Sequence, residues 1–128
     1  KAGYDVIMTP VKNLYLNRYQ LDPKSEPLAN GGFVPLEKVY EYYPIPAVLT
    51  PEEGKHILGV QGNMWTEYIA TPEHLEYMFF PRTAAVAEVA WTPKAQKNYK
   101  GFCQRLADVE KHYDAMGLHY CKKVQLQP

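Results

Sequence analysis

The sequence lacks any excess of charge, because its 128 residues carry 14 basic and 14 acidic side chains. A balanced chain has no general electrostatic attraction for nucleic acid or for an anionic membrane surface, so neither is expected as a partner. No apolar run approaches the roughly 20 residues that a membrane-spanning helix needs. No leader pattern precedes the first strand-like run and the chain opens on Lys1, so we expect a mature product or an excised piece of a longer protein.

Residues that mark metal, nucleophile or phosphate chemistry are also few. The two cysteines, Cys103 and Cys121, do not have a metal-binding spacing, and two buried thiols are favoured over a disulfide. The four histidines form no His-Glu-x-x-His pattern, and the one serine, Ser25, has no nucleophile elbow around it. Asn30-Gly31-Gly32 is not followed by the pattern of a phosphate-binding loop. We therefore predict no metal site and no phosphate-binding loop.

What the chain does contain is aromatic residues and proline. It has 11 Tyr, 2 Trp and 4 Phe, and its 11 Pro exceed the usual one residue in about twenty. Aromatic-rich chains of low net charge with frequent proline are typical of carbohydrate enzymes that work outside the cytoplasm. The length is that of one ordinary domain.

Two short runs have the pattern of buried strands. Residues 4–9 are β-branched at their centre and stop at Pro10, and residues 57–62 form an apolar run that leads into Trp65-Thr66-Glu67. Residues 11–20 are predicted as a loop, and residues 21–32 and 50–54 as turns.

Four helices are predicted around these strands. The first begins at Pro35 and has four apolar or aromatic residues on one face: Leu36, Val39, Tyr40 and Tyr43. Thr71 is the N-cap of a second helix, which Pro81 interrupts, and an alanine-rich third helix runs over residues 82–90. The last helix has the clearest periodicity and ends at Gly117, with Phe102, Leu106, Val109, Tyr113 and Met116 on its apolar face.

This order of elements predicts an α/β fold with a parallel sheet. Two parallel strands do not make a complete sheet, so the chain is interpreted as part of a larger fold. In such folds ligands bind at the carboxyl ends of the strands. Tyr15 and Asn17 follow the first strand, and Trp65 and Glu67 follow the second, so all four are expected at one edge. The structural alternative is that Trp65 is a core residue and Glu67 a surface charge.

The other carboxylates do not supply a second catalytic group. Ordinary glycosidases place two carboxyl groups across the bond that they cleave, and Glu67 alone stands convincingly at a strand end. Glu52 and Glu53 lie in a predicted turn and are interpreted as solvated charges. Three acidic residues belong to the exposed face of the last helix: Asp108, Glu110 and Asp114. Glu88 lies in an apolar helix and is interpreted as a structural ion pair or helix anchor.

These motifs, taken in order, resemble one family of glycosidases. The run from Val60 to Tyr68 is followed by Leu75-Glu76-Tyr77-Met78, Phe80-Pro81-Arg82, Ala84-Ala85, Ala87-Glu88 and Trp91. Together they resemble the C-terminal part of family-20 glycoside hydrolases, the β-N-acetylhexosaminidases. Tyr4-Asp5-Val6-Ile7-Met8-Thr9-Pro10 and Tyr15-Leu16-Asn17-Arg18-Tyr19-Gln20 resemble the preceding strand and loop of the same family.

The resemblance implies a fold, an activity and a place in the cell. The family uses a (β/α)8 TIM barrel, of which residues 1–128 would be the incomplete C-terminal portion with the last two strand-helix units. Its members remove terminal β-linked N-acetylhexosamines with retention, and the acetamide oxygen of the substrate acts as the nucleophile. The resemblance therefore implies neither a metal nor an organic cofactor. Localisation outside the cytoplasm (periplasmic, secreted or lysosomal) is expected from the resemblance alone.

The resemblance also implies roles for the four candidate residues. Tyr15 would hydrogen-bond the acetamide oxygen, Trp65 would form part of the wall under the sugar, and Glu67 would bind the O4 and O6 hydroxyls. Asn17 stands where the family usually has Asp. Asparagine keeps an acceptor oxygen but lacks the negative charge of aspartate. The adjacent Asp-Glu pair of the family, which includes its general acid, occurs nowhere in this sequence.

The resulting hypothesis is that the chain is part of a β-N-acetylhexosaminidase. The complete enzyme would act on N-acetylhexosamine-containing glycans, and the chain alone would be inactive. Two alternatives stay open at this point. One is a non-catalytic module that binds a sugar through Tyr15, Trp65 and Glu67. The other is a structural piece that is stable through association with the rest of a barrel or with a second copy of itself. Uncovered edges of parallel strands carry unpaired backbone N–H and C=O groups, which can pair with another strand.

Overall fold

The computed structural model describes residues 2–123, in which all the strands lie in the first half and the longer helices follow. The strands are β1 (Val6–Met8), β2 (Arg18–Tyr19), β3 (Asn30–Phe33) and β4 (Ile57–Val60). The helices are α1 (Val11–Leu14), α2 (Leu36–Glu41), α3 (Pro51–Gly54), α4 (Pro72–Phe79), α5 (Arg82–Trp91) and α6 (Tyr99–Ala115). Two 3-10 turns cover Pro23–Ser25 and Lys94–Gln96.

The strands form two parallel pairs. In the first pair Ile7 lies opposite Gly59 and Met8 lies opposite Val60, so the two runs interpreted as strands are neighbours. The second pair joins β2 to β3. The α/β prediction and the parallel pairing of β1 with β4 are confirmed.

The expectation that β1 and β4 are buried is wrong for the part of the chain described here. Ile7 is 56% exposed and Leu58 is 64% exposed. The helical core reaches this strand pair through Val60, which packs against it, whereas nothing in residues 2–123 covers Ile7 or Leu58. Both strands are apolar in sequence, but within residues 2–123 part of their apolar surface is in contact with solvent.

The segments interpreted as loops and turns contain regular structure. Residues 11–20 hold α1 and β2, and residues 21–32 hold a 3-10 turn and most of β3. The pairing of β2 with β3 joins residues that are distant in sequence, which local turn signals do not reveal. Residues 50–54 form α3 because Thr50 and Glu53 make a reciprocal capping box, in which each side chain accepts a hydrogen bond from the other's backbone N–H.

The core lies where α2, α5 and α6 meet the segment around α1. The Tyr40 ring of α2 stacks on the Phe102 ring of α6 with a centroid separation of 4.8 Å. The core side chains that are at most 3% exposed are Leu14, Leu16, Val34, Leu36, Val39, Tyr40, Met78, Ala85, Phe102, Leu106 and Cys121. Two predicted face positions fall outside this core, since Tyr43 follows the end of α2 and Met116 follows the end of α6, and both are exposed.

The predicted helix boundaries around Pro81 are confirmed. Thr71 accepts a hydrogen bond from the His74 N–H at the start of α4, and Pro81 separates α4 from α5. Gly117, with a φ of 71°, follows the last turn of α6. Both cysteines are free thiols, of which Cys121 is buried. Within residues 2–123 no helix combines the length and the apolarity needed to cross a bilayer.

The structural interpretation of Glu88 is also confirmed. Its carboxylate lies 2.6 Å from the Arg105 guanidinium of α6 and accepts a further hydrogen bond from the Thr92 hydroxyl. This ion pair links α5 to α6.

Candidate functional site

Tyr15 lies between two fully buried leucines. Leu14 and Leu16 are inaccessible to solvent, whereas Tyr15 is partly accessible and has an extended backbone with φ of −89° and ψ of 96°. Successive side chains of an extended segment point to opposite sides. The phenol of Tyr15 is therefore directed away from the leucines that anchor its backbone.

The segment after β4 runs directly beside Tyr15. The Leu16 N–H donates to the Asn63 carbonyl at 2.7 Å, and the Asn63 N–H donates to the Leu14 carbonyl at 2.8 Å. Tyr15 and Asn63 are thus paired like residues of parallel strands. Met64 packs against the core, and Trp65, the next residue, is 54% exposed. The alternation leaves the indole of Trp65 on the solvent side, near Tyr15.

The absence of a side chain at Gly62 allows these two segments to come together. A Cβ atom at this position would lie 3.2 Å from the Leu16 Cδ1 and 3.5 Å from the Val86 Cγ2. A larger residue would press the exit of β4 away from the anchoring leucine. Gly62 therefore helps to keep the Tyr15 and Trp65 segments in contact.

Asn30 connects the remaining two candidate residues. Its backbone N–H donates to the Asn17 carbonyl at 3.1 Å, and its side-chain amide nitrogen donates to the Glu67 carboxylate at 3.4 Å. Glu67 itself is exposed. The four residues predicted from the sequence are therefore brought to one edge of the structure, and Asn30 is a fifth residue there.

Asn17 differs from the other candidates in its burial. It is only 4% exposed, and its side-chain oxygen has no hydrogen-bond partner among the described residues. A buried acceptor without a donor costs free energy until a donor reaches it. The Asn17 oxygen is therefore an acceptor on the buried side of this edge that no described residue uses.

Arg82 holds the backbone beneath this edge. The guanidinium is completely buried, and its five N–H groups donate to four carbonyl oxygens, those of Leu16, Arg18, Val34 and Met78. Two of these carbonyls flank Asn17. Burial lowers the pKa of Arg82 to about 9, because the charged form is removed from water.

A small polar cluster moderates the burial of that charge. The Tyr77 hydroxyl donates to the Glu26 carboxylate, and burial raises the pKa of both Tyr77 and the Cys121 thiol. The Glu26 carboxylate acts on Arg82 in the direction that favours the charged guanidinium, whereas Tyr77 and Cys121 stay neutral because their pKa values are raised. The cluster is interpreted as structural support for the site.

Sequence reasoning missed the roles of Asn30 and Arg82. Asn30 stands before two glycines and has the local pattern of a turn, so no local signal was available. A charged residue at the start of an alanine-rich apolar helix was a usable signal for Arg82.

Within the described residues no group of three or more His, Cys, Asp or Glu side chains is gathered as metal ligands would be. A groove of about 480 Å³ between α5 and α6 is apolar and contains none of the candidate residues.

Comparison with known proteins places these features in one family. A sequence model described as the catalytic domain of glycosyl hydrolase family 20 matches residues 1–94. A β-hexosaminidase of Porphyromonas gingivalis is 45% identical over 127 residues, which cover 98% of this chain and 16% of that protein. A β-N-acetylhexosaminidase of Cellulomonas fimi is 34% identical over 124 residues, which cover 94% of this chain and 24% of that protein.

Solved structures give the same result. The family-20 β-N-acetylhexosaminidase of Streptomyces coelicolor superposes with a TM-score of 0.83 at 31% identity, covering 96% of this chain and 25% of that one. The exo-β-N-acetylglucosaminidase of Vibrio harveyi in complex with N-acetylglucosamine gives a TM-score of 0.77 at 31% identity, covering 92% and 19%. The chain thus spans a quarter or less of the length of these relatives. With an α/β fold that matches theirs, it belongs to glycosyl hydrolase family 20.

Proposed function

We propose that residues 1–128 form the C-terminal portion of the catalytic barrel of a retaining β-N-acetylhexosaminidase. In this proposal they supply the last two strand-helix units and half of the substrate pocket. The complete enzyme would release terminal β-linked N-acetylhexosamines from glycans, outside the cytoplasm and with the substrate acetamide as nucleophile. The activity is supported by relatives that are named as hexosaminidases. The chain covers a quarter or less of the length of these relatives, which supports the proposal that it is one portion of a longer enzyme.

The observation that carries the proposal is the pairing of Tyr15 with Asn63. It brings the phenol of Tyr15 next to the segment that bears Trp65 and Glu67, at the carboxyl ends of parallel β1 and β4. A sugar needs an apolar platform, a hydroxyl acceptor and a donor for its acetamide, and an exposed indole, a carboxylate and a phenol are suited to these tasks. Asn17 would accept a hydroxyl hydrogen bond from the buried side of the same edge.

Tyr15 is assigned to the acetamide oxygen. A phenol that donates to this oxygen holds it for attack on the anomeric carbon and stabilises the charge that develops there. Such a donor acts more strongly in the transition state than in the bound substrate, so its loss lowers kcat rather than raising KM.

The variant Tyr15→Phe in the complete enzyme is therefore expected to lose about a hundredfold in kcat with little change in KM. Steady-state hydrolysis of a chromogenic β-N-acetylglucosaminide measures both constants. Tyr43→Phe is the matched control, because Tyr43 is exposed and lies beneath the Lys94 ammonium away from the site. Equal kcat values for Tyr15→Phe and the wild type would remove Tyr15 from the reaction.

Glu67 is assigned to the outer hydroxyls, O4 and O6. Glu67→Gln keeps the shape of the side chain but replaces a charged acceptor with a neutral one. We expect kcat/KM to fall about ten- to a hundredfold, because a hydrogen bond to a charged group contributes about 1.5–3 kcal/mol. Glu52→Gln is the control, since Glu52 is exposed and paired with Lys55.

Deoxy substrates make the assignment of Glu67 specific. If Glu67 binds O4 or O6, the penalty of Glu67→Gln shrinks on the 4-deoxy or the 6-deoxy substrate, because the hydroxyl concerned is already absent. A penalty of unchanged size on both deoxy substrates would show that Glu67 binds neither hydroxyl.

A further inference from the structure

Asn30 is the residue through which the two halves of the candidate site are joined. Its backbone belongs to β3 and is paired with β2, where Arg18 lies opposite Asn30. Its N–H donates to the Asn17 carbonyl, and its side chain reaches across to Glu67. The preceding residue, Ala29, is buried, and its N–H donates to the Tyr19 hydroxyl at 3.3 Å. The Asn30 backbone is therefore fixed on both sides.

Glu67 needs such a fixed neighbour. It lies in a turn, is exposed, and its carboxylate has one hydrogen-bond donor within the described residues, the Asn30 amide. An exposed glutamate without a partner would distribute over several rotamers. Fixing one rotamer when the substrate binds would cost conformational entropy, and this cost would lower the affinity for a substrate hydroxyl. One amide donor occupies a single carboxylate oxygen and leaves the other for a ligand.

We propose that Asn30 is a positioning residue that orients the Glu67 carboxylate toward the substrate hydroxyls. This inference rests on the proposed function, because it deepens the role assigned to Glu67. Asn30 acts through Glu67 and through the Asn17 backbone, and it sets the affinity for the sugar without taking part in the bond-breaking step.

Two substitutions in the complete enzyme test the inference. N30A removes the donor, and we expect KM for a chromogenic β-N-acetylglucosaminide to rise about three- to tenfold while kcat stays within about twofold. N30D replaces the amide by a carboxyl group at contact distance from Glu67. Two neighbouring carboxylates raise the pKa of one of them above its usual value near 4.

The N30D variant gives a signature in pH that a general structural defect would not. Below the raised pKa the pair shares a proton, and the protonated carboxyl donates a hydrogen bond as the amide did, so the KM of N30D approaches that of the wild type. As the pH rises through the raised pKa, both groups ionise and repel each other, and the KM ratio of N30D to wild type grows beyond that of N30A. The ratio for N30A stays constant with pH.

The matched control is N98D. Asn98 caps α6 by accepting a hydrogen bond from the Gly101 N–H, and aspartate caps equally well while it introduces the same charge change as N30D away from the site. N98D is expected to have the KM of the wild type at every pH.

Three outcomes would overturn the inference. They are an unchanged KM in N30A, a KM ratio for N30D that does not depend on pH, and an equal effect of N98D. Each leaves the proposed function intact if the wild type hydrolyses the substrate. A wild-type enzyme without activity on β-N-acetylhexosaminides overturns the proposed function and this inference together.

Discussion

Replacing Arg82 by methionine is expected to lower the free energy of unfolding of the 128-residue chain by at least about 3 kcal/mol. Methionine fills a similar volume, but it removes five hydrogen bonds to the carbonyls of Leu16, Arg18, Val34 and Met78. Each buried acceptor left without its donor costs roughly 1–3 kcal/mol. The gain from no longer burying a charge offsets only part of this cost, because all the donors of the guanidinium are used.

The measurement is urea unfolding followed by circular dichroism, with two comparison variants. Arg105→Met removes an exposed guanidinium whose partner is Glu88, and it is expected to cost no more than about 1 kcal/mol. Arg82→Lys keeps the charge but has three donors on one nitrogen, so its stability should fall between those of the wild type and Arg82→Met. A stability of Arg82→Met within about 1 kcal/mol of the wild type would contradict the assignment.

The position of Arg82 also explains how the core supports the candidate site. The carbonyls of Leu16 and Arg18 flank Asn17, and the Leu16 N–H donates to the Asn63 carbonyl. A buried guanidinium that grips both carbonyls fixes the path of this segment more tightly than apolar packing alone would. The buried guanidinium of Arg82 thus holds the backbone on both sides of Asn17, one of the residues proposed to hold the sugar.

Local patterns in the sequence were sufficient for the helices and for the edge that holds the site. The spacing of Phe102 and Leu106 identified the buried face of α6, and Thr71 with Pro81 marked the limits of α4. The parallel order of β1 and β4 was enough to expect Tyr15 near Trp65. These features depend on short-range periodicity, on capping, and on the rule that parallel strands end at one edge.

Features that depend on distant contacts were not predictable in this way. The pairing of β2 with β3, the hydrogen bond between Asn30 and Glu67, and the choice of Arg105 as the partner of Glu88 each join separate elements. The exposure of Ile7 and Leu58 depends on what packs over them, which an apolar pattern does not specify. Asn30 illustrates this limit. Asn before Gly-Gly predicts a turn, and that prediction is the same whether or not the side chain contacts Glu67.

Residues 1–128 on their own are expected to hydrolyse a chromogenic β-N-acetylglucosaminide at least about ten-thousandfold more slowly than the complete enzyme. General acid catalysis contributes about a hundred- to ten-thousandfold, and the Asp-Glu pair that supplies the acid in the resembling family is absent from the sequence. Orientation of the substrate by the missing part of the pocket contributes further. Assays of the chain and of the complete enzyme at equal molar concentration measure the ratio.

Binding and association measurements on the same chain separate the possible results. A sugar-binding module would bind N-acetylglucosamine in titration calorimetry without turnover, whereas half of a pocket should show no measurable heat. Exposed Ile7 and Leu58 on β1 and β4 leave apolar area for another part of a barrel, and light scattering would detect a second copy in its place.

Robust turnover by the 128 residues would refute the proposal that the acid lies elsewhere. Glu67 would then be the first carboxyl group to test as that acid, because it alone among the described acidic residues follows β4 on the segment that is paired with Tyr15.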